Sequence, residues 1–436
     1  MTHADALDWW YGRVDFERRA PQPGDLKLDQ MRALLAALGD PHHRLRIIHV
    51  AGSKGKGSTA AMLAAVLRSA GYRTGLFTSP HLCTVEERIQ IDDGPIAPDE
   101  LAALISEIRD ALPPGVSPTF FEVGTAAGFM HFLRRRVDLA VVEVGLGGRF
   151  DSTNVCTPLV SVITSISHDH TKILGERLEQ IAFEKAGIIK PGVPVISGAL
   201  AQAARPVIER VAAERGAELI ELNRDFFFDY EPGEAGGRPP RATIRTPERS
   251  WPPMPLSLLG RHQAANAAVA VACVERLREQ GLRIPEASVA TGLAGVRWPA
   301  RLEVLGRAPW IVLDCAHNTA SVQAMIDTLN ESFSPRRKLL VFAASSDKDV
   351  PGMMQLLAPQ FDGFYLTRFG KNARAVEPGR LAAWLAEMTH APRHKFDDAA
   401  EAWRAARAAA GPDDLVAVSG SVFLAGELRP VMLNYV

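Results

Sequence analysis

Hydrophobic positions along this chain fall into two alternating textures. Short, continuous apolar runs at 47–50, 74–78, 139–144, 160–166 and 193–197 read as strands buried on both faces. Longer stretches of helical composition lie between several of them, at 59–70, 99–112, 122–135 and 178–189. Strand–helix–strand repetition of this kind predicts a parallel sheet with helices on both faces, an α/β fold. The texture changes over 225–255, where Phe226-Phe227-Phe228 is followed by Gly233, Gly236, Gly237, Pro239 and Pro240. That composition predicts an antiparallel insertion with no chemistry of its own. Helices at 263–280 and 285–293 come next, then a second alternating series with strands at 310–313, 338–342, 364–367 and 415–418. Trp298-Pro299 breaks the helical pattern, because proline disfavours helix at the residue before it. The boundary is placed there, giving a first domain of 1–296 and a second of 297–436.

Composition narrows the functional classes. A chain of 436 residues suits two or three domains. Its net charge of −1 offers no electrostatic case for nucleic acid. No apolar run approaches the roughly 20 residues that span a bilayer, and the first ten residues, with Asp5 and Asp8, lack the basic and apolar regions of a signal peptide. Cys83, Cys156, Cys273 and Cys315 are scattered, with no CxxC pair to suggest zinc or a disulfide framework. A cytoplasmic protein without membrane or nucleic-acid partners is expected.

The chemistry begins at Val50-Ala51-Gly52-Ser53-Lys54-Gly55-Lys56-Gly57-Ser58-Thr59. It sits between a strand-like run and a helix-like one, the setting of a phosphate-binding loop. Glycines there let backbone N–H groups face a polyphosphate, and the helix N-terminus adds a favourable dipole. Lys56 can reach the β- and γ-phosphates, and Ser58 can offer its hydroxyl to Mg²⁺. The spacing is unusual: two residues separate Gly52 from Gly55-Lys56, and Gly57 is inserted before Ser58. Glu143 ends the run at 139–144 just before Gly145-Leu146-Gly147-Gly148-Arg149, where a carboxylate is either a Mg²⁺ ligand or a solvent-facing strand end. His168-Asp169-His170 follows another strand and is equally a candidate site or ordinary surface. Asp314-Cys315-Ala316-His317-Asn318 lies at a strand's carboxyl end, where α/β sheets place ligands. Asp314 there can accept ribose or base hydrogen bonds, while Asn318 can cap the next helix. From spacing alone Lys185 reads as a surface lysine near a helix C-terminus, and Asn266 as an ordinary helix residue.

Taken together these strings resemble the folylpolyglutamate synthases and dihydrofolate synthases, a branch of the Mur-ligase-like ATP-dependent amide ligases. The matching strings run in order along most of the chain: 51–59, 79–82, 87–89, 119–122, 143–154, 169–170, 184–187, 260–267, 299–303, 314–318 and 346–349. The resemblance implies an N-terminal phosphate-loop domain of Mur-ligase type, a C-terminal Rossmann-like domain and an active site in the cleft between them. It implies that ATP phosphorylates a folate-type carboxylate and that L-glutamate then attacks the acyl phosphate. The acceptor is dihydropteroate, a reduced folate, or both in turn.

Carried over by position, the resemblance assigns Ser53, Lys54, Gly55, Lys56 and Gly57 to the ATP phosphates and Ser58 to the nucleotide Mg²⁺. Ser79, Glu143 and His170 become ligands of a second Mg²⁺, and a monovalent cation is a further candidate ligand. Lys185 matches a lysine that relatives carry as a carbamate, which replaces a cation by anionic oxygens. Asn266, Arg301, Asp314 and His317 become nucleotide contacts. Lys56, His170, Lys185 and Arg301 form the catalytic group. Asp15, Phe16, Thr119, Phe121, Glu122, Asp151 and Ser152 become the pterin pocket, with Phe121 able to stack on an aromatic ring. Lys54 departs from the Asn of many relatives, Phe150-Asp151-Ser152 from Leu-Asp-Ala, and Cys315 from Gly or Val. A monomer is expected. A Mur-type peptide ligase of cell-wall synthesis would share the fold, and a phosphate-loop kinase or NTPase would share the loop. The matches at Asp15-Phe16 and 119–122 argue against the former, and the string at 314–318 against the latter.

Overall fold

The first apolar run folds as β1 (Ile47–Ala51), buried along its whole length. A strand covered on both faces carries no polar alternation, which is why the run is continuous. The computed structural model describes residues 1–16, 27–370 and 374–435, apart from the Lys172 side chain. Helices α1 (His3–Tyr11) and α2 (Asp29–Ala37) precede β1. After it come α3 (Lys56–Ser69), β2 (Thr74–Phe77), β3 (Ile89–Ile91), β4 (Gly94–Pro95), α4 (Pro98–Asp110) and α5 (Phe120–Arg134). The chain continues through β5 (Leu139–Glu143), β6 (Val160–Ile163), α6 (Thr171–Leu174), α7 (Leu178–Ala186), β7 (Val195–Ser197), α8 (Arg205–Glu214) and β8 (Leu219–Glu221).

These strands make one sheet in the order β4-β3-β2-β5-β1-β6-β7-β8. It is parallel from β2 to β8, with β3 and β4 added antiparallel at one edge. One apolar core joins Trp10, Met31, Ile105, Phe120 and Phe129 to the sheet; another joins Ile163 and Val195 to Ile181 and Ile208. Two boundaries differ from expectation, both beside the phosphate loop. Helix α3 starts at Lys56 rather than 59, because Gly55 takes the left-handed conformation and caps it. Strand β6 stops at Ile163 rather than 166, because the hydroxyls of Thr164 and Ser165 turn to the phosphate loop.

The insertion forms β9 (Phe227–Glu231), β10 (Arg241–Arg245) and β11 (Met254–Pro255), in the order β11-β10-β9. Helices α9 (Arg261–Glu279) and α10 (Glu286–Ala294) follow. A side chain at Gly292 would collide with the Val66 backbone, so α10 lies close against α3.

The remaining chain is β12 (Glu303–Arg307), β13 (Trp310–Leu313), α11 (Thr319–Ser332), β14 (Lys338–Phe342), α12 (Val350–Leu357) and β15 (Gly363–Leu366). It ends with α13 (Pro378–Ala386), β16 (Arg393–Lys395), α14 (Ala399–Ala409), β17 (Leu415–Ser419) and α15 (Val422–Leu433). The sheet order is β12-β13-β17-β14-β15-β16, parallel except for β12. The edge strands β12 and β16 are half-exposed, so no continuous apolar run announced them. Residues divide into two units: Met1–Asp229 with Ala242–Pro255 and Ala264–Val296, and Tyr230–Arg241 with Leu256–Gln263 and Arg297–Val436.

Candidate active site

In the first unit, the turn after β1 carries φ values of 148° at Gly52 and 82° at Gly55, which favour glycine. A Cβ at Gly52 would collide with the Thr164 hydroxyl, and one at Gly55 with the Asn266 carboxamide. Asn266 therefore packs directly on the phosphate loop. The polar residues after β6 pin the loop from the neighbouring strand. Ser53 N donates to the Ser165 carbonyl (2.7 Å) and Ser53 Oγ to the Ser167 carbonyl (3.0 Å). The Lys54 carbonyl accepts from Thr164 Oγ1 (2.6 Å) and Ser165 Oγ (3.0 Å). Ser58 is buried in the first turn of α3, and Lys56 Nζ bends back to the Gly52 carbonyl at 3.2 Å.

Charge collects around this loop. Lys54 Nζ pairs with Asp169 Oδ2 at 2.6 Å. Lys185, on α7, is only 4% exposed, so the surface reading from its spacing is corrected. Burial pushes its ammonium down to about 7; Lys56 and Lys54 press the same way, while Asp169 and Asp151 oppose. These couplings place Lys185 in the field of the phosphate loop. The backbone of Gly148 abuts that of Glu184 and Lys185, leaving no room for a side chain. Glu143, at the tip of β5, is 4% exposed and accepts a hydrogen bond from Ser79 N at 3.1 Å. The solvent-facing alternative is thus overturned. His170 is exposed, with φ 51°, and its Nε2 stands 3.9 Å from Asp169 Oδ1.

The proposed acceptor residues gather at the N-terminus of α5. Thr119 caps the helix: its hydroxyl accepts from Glu122 N (3.2 Å), and the Glu122 carboxylate accepts from Thr119 N (2.7 Å). Burial raises the Glu122 carboxyl, opposed by those hydrogen bonds. The Phe121 ring lies against Gly145, where a Cβ would strike it. Ser152 Oγ meets Thr125 Oγ1 at 2.7 Å. Asp151 is fully engaged with its own chain, accepting from Leu146 N (2.8 Å), Thr153 N (3.0 Å) and Thr153 Oγ1 (2.5 Å). Asp15 and Phe16 follow Val14, whose carbonyl accepts from Phe120 N at 2.9 Å.

In the second unit, Asp314 at the end of β13 is buried and binds the backbone on both sides. Its Oδ2 accepts from Leu302 N (2.9 Å) and its Oδ1 from Ala316 N (2.7 Å). Burial raises this carboxyl, and Arg301 opposes the rise. Between Pro299 and β12, Ala300 and Leu302 hold left-handed φ values of 53° and 49°. Arg301 projects from this turn with Nη1 at 2.5 Å from Cys315 Sγ. His317 Nδ1 lies 2.9 Å from the Cys315 carbonyl. A carbonyl only accepts, so Nδ1 carries the proton in this contact.

Comparison with known proteins gives these clusters their context. Residues 50–274 match the Mur ligase middle domain, and residues 300–422 match the Mur ligase glutamate ligase domain. The dihydrofolate synthase/folylpolyglutamate synthase of Bacillus subtilis is 35% identical over 439 residues, covering 98% of each chain. The chain belongs to the folylpolyglutamate synthase/dihydrofolate synthase family. Two solved members of that family are similar throughout. E. coli FolC in complex with DHPP and ADP has a TM-score of 0.89 at 29% identity, covering 100% of this chain and 98% of that one. The Mycobacterium tuberculosis folylpolyglutamate synthase complexed with ADP has a TM-score of 0.89 at 32% identity, covering 99% and 98%.

Within this family member, sequence reasoning left several supporting residues unassigned. Thr164, Ser165 and Ser167 form the far wall of the phosphate loop; the only signal was a polar cluster at a strand end. Asp169 pairs with Lys54 across a gap of 115 positions. Glu87 gathers the backbone amides of Leu82, Cys83 and Thr84 at 2.8 to 3.2 Å, and Arg88 Nε donates to His81 Nδ1 at 2.8 Å. These last two shape the turn carrying Ser79, and Glu87-Arg88 was a matching string without a role.

Proposed function

We propose that the named residues carry out the family reaction: ATP-dependent ligation of L-glutamate to a folate-type carboxylate through an acyl phosphate. The observation that carries this reading is Lys185, buried on α7 with its backbone against Gly148 of the loop after β5 and coupled in charge to both phosphate-loop lysines. A carboxylate is a poor electrophile until an oxygen becomes a phosphate leaving group. Ser53, Lys54, Gly55, Lys56 and Gly57 hold the ATP phosphates, and Lys56 offsets the charge that develops on transfer. Asn266 is the nucleotide contact nearest the loop. Arg301 is assigned to phosphate, Asp314 and His317 to the nucleoside.

The donor set suits Mg²⁺. Ser58 offers a hydroxyl, and Ser79 and Glu143 bring oxygen donors from the ends of the adjacent strands β2 and β5. Two ions are assigned: one with Ser58 and the nucleotide, the other with Ser79, Glu143, His170 and Lys185. A monovalent cation is a further ligand of this site. When bound, Mg²⁺ neutralises phosphate charge. A lysine ammonium repels such an ion, whereas its carbamate supplies anionic oxygens. An amine held near pH 7 has the free lone pair that attack on CO₂ requires. Asp15, Phe16, Thr119, Phe121, Glu122 and Ser152 line the acceptor pocket, with Phe121 stacking on the pterin. Asp151 shapes that pocket through the backbone it holds. The enzyme acts as a cytoplasmic monomer on dihydropteroate, reduced folates or both.

The test is turnover of ATP by purified protein with L-glutamate and each acceptor, the acceptor carboxylate carrying ¹⁸O. Label is expected in released phosphate; ATP turnover independent of both acceptor and glutamate overturns the reading. Size-exclusion chromatography checks the monomer, and bicarbonate depletion the carbamate.

A further inference from the structure

One buried polar chain in the first unit remains unused. His49 lies in the middle of β1 and is fully buried, in a strand otherwise made of Ile47, Ile48, Val50 and Ala51. A titratable ring in the central strand of a parallel sheet is a costly choice unless its hydrogen bond matters. Its Nε2 lies 2.8 Å from Thr153 Oγ1, and that hydroxyl lies 2.5 Å from Asp151 Oδ1.

The protons in this chain can be counted. Asp151 takes N–H donors from Leu146 and Thr153 and so acts as an acceptor. The Thr153 hydroxyl has one proton, and Asp151 receives it. The lone pair left on Thr153 Oγ1 then needs a donor, and His49 Nε2–H is that donor. His49 is thereby fixed as the neutral Nε2–H tautomer. Its Nδ1 is left buried with no hydrogen-bond partner, the residual demand of this arrangement. Burial and the nearby Lys190 hold the ring's pKa at about 3, so it stays uncharged. The chain then ends where the chemistry is: Asp151 Oδ2 holds Leu146 N, inside the loop that carries Gly145 against Phe121 and Gly148 against Lys185.

We propose that His49 is a positioning residue for ligation: through Thr153 it orients Asp151, and through Asp151 it sets the glycine-rich loop that shapes the acceptor pocket. This rests on the acceptor pocket assigned above. Removing the chain's donor loosens the loop and weakens acceptor binding while leaving the phosphate loop in place.

The experiment compares His49→Phe, which keeps the ring's shape without a donor, with His49→Gln, which restores an N–H at similar reach. Thr153→Val and Thr153→Ser form the parallel pair. In the full-length protein, His49→Phe and Thr153→Val are expected each to raise the acceptor KM about tenfold, the size of one lost hydrogen bond. The KM for ATP should stay within about twofold, and Thr153→Ser and His49→Gln should recover most of the loss. The double variant should be no worse than the worse single one, since both break the same chain. Additive effects, an unchanged acceptor KM, or an equal rise in the KM for ATP would overturn the proposal. Nitrogen NMR of the wild-type ring supplies a readout besides activity. A neutral Nε2–H tautomer is expected across the range where a free histidine titrates, and an Nδ1–H tautomer would overturn the relay. Absence of any ligation by the wild type would refute the functional reading instead, while the tautomer measurement would still stand.

Discussion

Two strand-end turns in this molecule solve a similar backbone problem in opposite ways. The turn after β1 needs left-handed backbone at Gly52 and Gly55, and glycine supplies it without strain. The turn before β12 also needs it, but there Ala300 and Leu302 take φ values of 53° and 49° and the conformation is enforced from outside. Asp314 holds Leu302 N, and Glu303 Oε2 holds Ala300 N at 3.0 Å. The difference follows from what each turn presents. The phosphate loop presents backbone N–H groups, and any Cβ there collides with Thr164 or Asn266. The second turn presents one long side chain, Arg301, and a stiff non-glycine backbone restricts where its guanidinium can go. Backbone recognition favours removing side chains; side-chain recognition favours constraining the residues beside them.

This contrast can be broken at its strongest point first. Lys56→Ala should reduce kcat by about 100- to 1,000-fold, the usual loss when one preorganised charge partner of a transition state is removed. Circular dichroism should show the fold intact; wild-type turnover would remove Lys56 from the mechanism. Gly55→Ala should come next. It adds roughly 1–2 kcal/mol of left-handed strain and drives the carboxamide of Asn266 from its place, so ATP affinity measured by calorimetry should fall at least tenfold. A smaller effect is expected at the enforced turn. Asp314→Asn sets an amide N–H against one of the two backbone donors, costing about 1–3 kcal/mol in the stability of the second unit, read by urea denaturation. Ala300→Gly should change least. Relief of left-handed strain is offset by the entropy of glycine and the loss of a fully buried methyl, leaving the stability within about 1 kcal/mol. A large loss there would mean that the alanine side chain, rather than the turn, matters.

Lys185 separates the two regions by pH, because among the described residues the phosphate-loop side holds a buried lysine with a lowered pKa. Its folded value near 7 lies below the ordinary 10.5. Between these values the unfolded chain binds a proton that the folded protein does not, so stability should rise as pH increases from 7 towards 10.5. Below pH 7 both states are protonated and the burial penalty is present in full. Lys185→Met should flatten that rise in thermal melts recorded without nucleotide or bicarbonate.

Much of the first unit was legible in its pattern. Continuous apolar runs marked the buried parallel strands, and Gly52, Gly55 and Lys56 announced the loop, because φ freedom and charge are properties of single residues. The strands β3, β8, β12 and β16 were missed: β3, β8 and β16 are only three residues long and β12 is half-exposed, so none makes a continuous apolar run. Thr119 and Glu122 could be named but not apportioned: the same spacing that suggested acceptor contacts also writes a capping box, and both hydrogen bonds of that box form.

By itself, then, the order of residues determined where strands begin, where the backbone must turn left-handed and which family the chain resembles. Tertiary structure alone decided that Lys185 is buried, that Asp169 pairs with Lys54, and that His49 reaches Asp151 through Thr153. Those facts depend on parallel strands that are far apart in sequence ending side by side. Burial, which sets the charge state of each group, is a property of the packed sheet and is written at no single position.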